Sequence, residues 1–195
     1  MSLPNWLTLS RIILAPVFMV LFLLESPVGR LLATIVFIIA ALTDLFDGYL
    51  ARKMGSLTSF GKFMDPLADK ILVSTAFISF VNLGYAVPWM VTTIIVREFL
   101  IIGLRSAAAY KGMVITPSYA AKWKTASQMV VISLILVFIN LKTWMLPAGY
   151  HWAMFYSPVT NEVFNVMILI TVLLTVGTGL DYLLKSGGLI KGLLK

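Results

Sequence analysis

VFNVMILITVLLTVGTGL, residues 163–180, is an uncharged run of 18 residues bounded by Glu162 and Asp181. A run of about 18 or more apolar residues without charge is the mark of a helix that crosses the ~30 Å hydrocarbon of a bilayer. The preceding run, 125–141, has 17 residues; those at 12–24, 31–43 and 71–83 have 13 each, and 85–96 has 12. Thirteen residues at 1.5 Å per residue cover only ~20 Å. Charges and turn residues divide the chain into six hydrophobic segments, about 6–24, 31–51, 65–83, 86–110, 124–141 and 162–184. The first four must therefore carry polar side chains at membrane depth or stop short of one face.

Composition agrees. The 195 residues are 60% hydrophobic and 12% charged, with a mean hydropathy of +0.98, where soluble domains carry roughly 25% charged residues. The expected class is an all-α polytopic membrane protein, one domain over 1–195, with six transmembrane helices. There is no cysteine, which removes disulfides, thiolate zinc sites and a cysteine nucleophile. The start, MSLPNWLTLSR, has no Lys or Arg before its apolar run and no small-x-small site after the run, so the first helix is expected to stay in the mature protein.

Lysine and arginine orient the chain. With the N-terminus inside, 13 of the 15 Lys and Arg fall on the cytoplasmic side and only Arg30 and Lys142 outside. Both termini are then cytoplasmic in a multi-pass cell-membrane protein (inner or plasma membrane). The net charge of +7 is assigned to orientation and anionic headgroups, with no nucleic-acid partner. Trp6, Trp89, Trp123, Trp144 and Trp152 all fall at or just outside span ends, as an interfacial belt requires. The stretch 144–156 reads as an outer interfacial loop.

The densest chemistry is TDLFDGYLARKMGSLTSFGKFMDPLADK, residues 43–70. Asp44 and Asp47 are i,i+3 and share one helix face; Asp65 and Asp69 are i,i+4 and share another. A turn around Gly55 and Ser56 is expected to fold the two helices back as antiparallel neighbours, so that four carboxylates meet at one depth. Like charges in a low-dielectric site oppose one another's ionisation. Oxygen-rich groups of this kind hold hard divalent cations, and two Mg²⁺ (or Mn²⁺) would balance four carboxylates. Taken singly, some of these residues have plainer readings. Asp65 before Pro66 also fits a helix N-cap with proline at the first position. Gly48 also fits close helix packing, and Arg52 a cytoplasmic anchor.

The string Asp44-x-x-Asp47-Gly48-x-x-Ala51-Arg52, eight residues, Gly61-x-x-x-Asp65-x-x-x-Asp69 resembles, at every defined position, the motif of the CDP-alcohol phosphotransferases. That family comprises six-helix membrane enzymes that move a phosphatidyl or similar group from a CDP-linked donor to an alcohol. The resemblance implies that Asp44, Asp47 and Asp65 bind one metal ion and Asp44, Asp65 and Asp69 a second, with Asp69 as general base. It also implies that Gly48, Arg52, Thr58, Asn5 and Thr8 contact the CDP-diacylglycerol, and that the enzyme is a homodimer facing the cytoplasm.

The acceptor must be read elsewhere. Arg97 and Arg105 are eight residues apart, about two turns and roughly one face, while Lys122 and Lys124 open the fifth segment. Four cations beside the aspartates suit a phosphorylated alcohol, although Lys122 and Lys124 also fit topology and headgroup contact. PNWLTLSR (4–11), REF with GLR (97–105) and KWKT with Gln128 (122–128) resemble the branch of the family whose acceptor is sn-glycerol 3-phosphate. By that likeness Arg97, Arg105, Lys122 and Lys124 bind the acceptor phosphate; Ala121 stands where that branch usually has glycine. The neighbouring alternatives are phosphatidylinositol-phosphate and cardiolipin synthesis. From other classes stand a cation transporter using intramembrane aspartates, which would need access from both sides and often repeated halves, and a non-catalytic lipid-binding scaffold. Arg11 is open between a headgroup anchor and a donor-phosphate contact. His151 lies in the outer loop away from the acids, and Arg30 and Lys142 read as outer anchors.

Overall fold

The computed structural model describes residues 3–54, 59–110 and 119–185, with side-chain surroundings for 6–44, 64–110 and 122–184. The side chains of Asn5, Asp47, Gly48 and Arg52, and Thr58 altogether, lie outside the described residues. Among those described there is no strand. The helices are α1 (Leu3–Leu23), α2 (Pro27–Met54), α3 (Ser59–Asn82), α4 (Pro88–Tyr110), α5 (Tyr119–Met145) and α6 (Pro158–Lys185), with a single 3₁₀ turn at Ala153–Phe155. Each hydrophobic segment of the sequence corresponds to one helix, with Leu24, Leu83, Ala86 and Val87 falling just outside α1, α3 and α4. Four helices are long and apolar enough to cross a membrane, over Trp6–Leu23, Pro27–Asp44, Lys122–Met145 and Pro158–Leu184. α3 and α4 have 24 and 23 residues, or ~35 Å of helix; the charges of Asp69 and Lys70, and of Arg97, Glu98 and Arg105, lower their apolar character.

The distribution of side chains is that of a bundle in hydrocarbon. Val20, Ile38, Val137 and Leu173 are exposed, whereas Arg11 and Gln128 are fully buried and Glu98 and Lys124 nearly so. Intramembrane charges turn to the bundle interior, where they can be paired. All five tryptophans are exposed and stand at helix ends. Trp123 and Trp144 are 21 residues apart on α5, or ~32 Å, the separation of the two interfaces of a bilayer.

α1 presents one face inward: Thr8, Arg11, Ala15, Phe18 and Phe22 follow three- and four-residue steps and are all essentially inaccessible. This face packs against both α2 and α3, which touch each other only slightly among the described residues. Over the described residues α1 lies between the second and third helices, which were expected to pack directly on each other; the turn expected around Gly55 and Ser56 lies outside the described residues. A short connection fixes only that two helices are close in sequence; α1 offers them a buried apolar face of Ala15, Phe18 and Phe22. Phe22 meets Phe18 at 5.3 Å and Phe80 at 5.9 Å, and Phe80 meets Phe77 edge-on at 6.2 Å. The N-cap reading of Asp65 is corrected too. α3 begins at Ser59 and runs through Asp65 with Pro66 inside it.

At the end remote from the aspartates, α3 and α5 stop in the same way. Gly84 N–H donates to the Val81 carbonyl (3.1 Å) and Tyr85 N–H to that of Phe80 (2.8 Å); Gly149 and Tyr150 repeat the pattern onto Leu146 and Met145 (3.1 and 3.0 Å). Both glycines have positive φ, 77° and 84°, the left-handed conformation this helix stop requires.

Phe80→Ala removes a buried ring that packs against Phe22 of α1, and is expected to cost about 3 kcal/mol. Leu173→Ala, on the exposed face, should stay within ~0.5 kcal/mol. Equilibrium unfolding in detergent checks both.

Candidate active site

The inner face of α1 delivers its two polar members to the aspartates. Thr8 Oγ1 donates to Asp65 Oδ1 of α3, and Arg11 Nη1 donates to Asp44 Oδ1 of α2 as an ion pair. Thr8 and Arg11 are i,i+3 and so neighbours on one face, which draws Asp44 of α2 and Asp65 of α3 toward that face at one level. Asp69, one turn beyond Asp65, lies within electrostatic range of Asp44 and pairs with Lys70 Nζ at 2.6 Å. Three of the four motif aspartates are therefore brought together, with Arg11 and Lys70 meeting their mutual repulsion. Among the described residues no three carboxylate or histidine groups stand at metal-ligand spacing; Asp47 is outside the described side chains.

A second charged group adjoins the first. Lys124 Nζ lies 2.6 Å from Glu98 Oε1, both side chains more than nine-tenths buried. Gln128 Nε2 donates to the same oxygen at 3.2 Å, and Arg97 Nη1 approaches it at 3.6 Å. Lys70 acts on Glu98 and Asp44 alike, so the two groups form one network across α1, α2, α3, α4 and α5. A buried charge is tolerable only when paired and hydrogen-bonded, and Glu98 has three such partners.

Lys124 and Lys122 separate. Two residues on a helix are ~200° apart, and Lys124 turns into the bundle while Lys122 is exposed. Ala121 stands within α5 rather than at a turn.

α6 completes this region. Arg97 Nη2 donates to Thr178 Oγ1 at 2.8 Å. Gly179 packs so closely that an added Cβ would lie 2.9 Å from Arg97 Nε. The Arg105 guanidinium sits 5.5 Å from the centre of the Tyr182 ring, a cation–π distance. As their spacing suggests, both arginines turn the same way. Arg97 Nε, Arg105 Nε and Tyr182 OH are buried without a hydrogen-bond partner, so donors are held ready for an acceptor. Even with Lys70 assigned to Asp69, Arg97 and Lys124 share the carboxylate of Glu98, and Arg105 stands near enough to Arg97 to repel it. The excess positive charge matches a phosphate monoester.

Reading the sequence missed Glu98 as a centre, Lys70 as a link and the part α6 plays in the site. Signals were present. Glu98 is an acid inside an apolar segment, which demands partners. Thr171, Thr175 and Thr178 form a polar stripe at helical spacing in an otherwise apolar helix, and all three are buried.

Residues 1–177 match the family described as CDP-alcohol phosphatidyltransferase. The chain belongs to this family. Relatives from diverse bacteria carry the name CDP-diacylglycerol–glycerol-3-phosphate 3-phosphatidyltransferase. The protein of Bacillus subtilis (strain 168) is 46% identical over 70% of this chain and 77% of its own length. That of Rickettsia bellii is 40% identical over 70% and 75%, and that of Salmonella paratyphi A 39% identical over 76% and 82%. Family membership makes the chain a transferase of phospholipid synthesis, and sets the transporter and scaffold readings aside.

Glu98→Gln strands Lys124 as a buried cation and is expected to destabilise the protein by ~3 kcal/mol. Lys124→Gln added to it should recover part of the loss, so that the two costs are not additive. Unfolding midpoints of the single and double variants in detergent measure this.

Proposed function

We propose that the chain transfers the phosphatidyl group of CDP-diacylglycerol to sn-glycerol 3-phosphate, giving phosphatidylglycerophosphate and CMP. The observation that carries this reading is the cationic excess around Glu98, with the Nε–H groups of Arg97 and Arg105 buried and unpartnered, beside the aspartates. Arg97, Arg105 and Lys124 hold the acceptor phosphate, with Lys122 on the exposed side. An uncharged alcohol would leave those guanidinium donors unsatisfied.

In the reaction, an acceptor hydroxyl oxygen forms a bond to the phosphatidyl phosphorus. The bond from that phosphorus to the CMP oxygen breaks, and the hydroxyl proton passes to Asp69. A carboxylate within reach of the hydroxyl acts as its base. Asn5, Thr8, Gly48, Arg52 and Thr58 hold the donor headgroup, and Thr8 keeps Asp65 oriented through its hydrogen bond.

The aspartates suit hard divalent cations. Their donors are all carboxylate oxygens, the ligands such ions take, and the repulsion between Asp44 and Asp69 is offset by the cations Arg11 and Lys70, whose places a metal charge would share. Asp44, Asp47 and Asp65 would hold one Mg²⁺ or Mn²⁺, and Asp44, Asp65 and Asp69 a second. When bound, such ions neutralise the donor diphosphate and the leaving CMP. Arg11 and Lys70, now on Asp44 and Asp69, would yield part of their pairing to them.

All six helices cross the cell membrane in this reading, with both termini and the active site cytoplasmic and the chain a single domain over 1–195. The level of the exposed tryptophans supports it. The homodimer that the family resemblance implies is part of the same reading.

Purified protein with CDP-diacylglycerol and Mg²⁺ should release CMP with glycerol 3-phosphate and barely with inositol or serine. A better rate with inositol 1-phosphate would overturn the acceptor and leave the class standing. Excess chelator should abolish turnover. Asp69→Asn should lower kcat by roughly 10²–10⁴ while the purified protein keeps its helical circular-dichroism signal. Arg105→Ala should raise KM for glycerol 3-phosphate roughly tenfold and leave that for the lipid donor unchanged.

A further inference from the structure

The end of the bundle opposite the aspartates holds a cavity of about 350 Å³, lined by Arg30, Tyr85, Lys142, Thr143, Leu146 and Pro147. That volume is near the lower bound of the ~300–1,000 Å³ usual for small-molecule sites. Its walls are built from fixed parts. Tyr85 follows the glycine stop of α3, and Leu146 and Pro147 precede that of α5. Arg30 Nη1 donates to Thr143 Oγ1 at 2.7 Å, and Lys142 Nζ to Tyr85 OH at 3.3 Å, with the ammonium 5.7 Å from the centre of that ring.

Charge is what makes this cavity unusual. Among the described residues, Arg30 and Lys142 are the cations at this end, and both line the one cavity. Their partners are neutral hydroxyls. Glu25 and Glu162, the acids at this end, are exposed and form no ion pair with them. The last turn of α5 suits Lys142, since a helix C-terminus attracts a cation. Arg30 lies in the first turn of α2, where the helix dipole opposes one. Arg30 Nε is also buried with no hydrogen-bond partner. Two cations in one cavity, one set against a helix dipole and left with a spare donor, call for an anion with several acceptor oxygens.

We propose that this cavity binds a phosphate group through Arg30 and Lys142, with Tyr85 and Thr143 as hydroxyl partners, at the end of the molecule remote from catalysis. The group comes either from the headgroup of an anionic phospholipid or from a free phosphate. Trp89, Trp144 and Trp152 are exposed at the same end, at the depth where bilayer phosphates lie. An anionic headgroup leaves its negative charge for the two cations; the choline of a zwitterionic one brings a competing cation.

Thermal unfolding of the full chain in an uncharged detergent tests this, with phosphatidylglycerol, phosphatidylcholine or inorganic phosphate added. The unfolding midpoint should rise with phosphatidylglycerol if the source is lipid, or with inorganic phosphate if it is free anion. Lys142→Gln and Arg30→Gln should each raise the half-saturating concentration of the active compound roughly tenfold, with transferase turnover unchanged. Lys142→Gln retains the Arg30–Thr143 bond, so it reports on binding should Arg30→Gln unfold. Arg105→Ala, at the catalytic end, should leave the half-saturation as it is. The proposal is overturned by an equal rise with phosphatidylcholine, or by no rise with phosphatidylglycerol or phosphate. Wild-type half-saturation in the Lys142 variant, or loss of the rise in the Arg105 variant, overturns it as well.

Discussion

Glu98 and Lys124 meet at 2.6 Å with both side chains almost wholly buried, and most of the polar architecture is arranged around that contact. A carboxylate removed from water and set in an apolar bundle costs several kcal/mol unless cations and donors surround it. Gln128, Arg97 and Lys70 are drawn in to meet the requirement, and Lys70 carries it on to Asp69 and Asp44. The cations outnumber the carboxylate they serve. A site that compensates one buried acid is thereby left with positive charge to offer a phosphate.

α1 has the complementary role at the aspartates. Its buried face changes from Phe22, Phe18 and Ala15 in the apolar interior to Arg11 and Thr8 at the acidic end. One helix therefore both wedges α2 from α3 through dispersion and hydrophobic packing and tethers an aspartate of each. The carboxylates are held near one another without the two helices having to touch. Arg11 resolves accordingly: it is neither a headgroup anchor nor exposed, but fully buried and paired with Asp44.

The two ends of the bundle treat charge differently. At one, acids and bases interleave in a network spanning five helices. At the other, Arg30 and Lys142 share a cavity without an acidic partner, between helix ends closed by glycine stops. α6 touches both regions, through Thr178 and Gly179 against Arg97 and through Asn165, whose Oδ1 accepts the Val87 N–H at 3.1 Å.

Helix number, helix extent and the identity of the acidic motif were legible along the chain, because burial in hydrocarbon and i,i+3 or i,i+4 spacing are local properties. Asp44 with Asp47, and Asp65 with Asp69, could each be placed on one helix face from their spacing. Arg97 and Arg105 could be placed on one face in the same way. The neighbours across the bundle were not legible: which helix separates α2 from α3, that Lys124 turns in to Glu98 while Lys122 turns out, that Thr178 and Tyr182 of α6 receive the arginines, and that Arg30 and Lys142 share a cavity. Those are outcomes of packing between segments far apart in sequence, where the charge of one helix chooses its partner only after every apolar face has been buried.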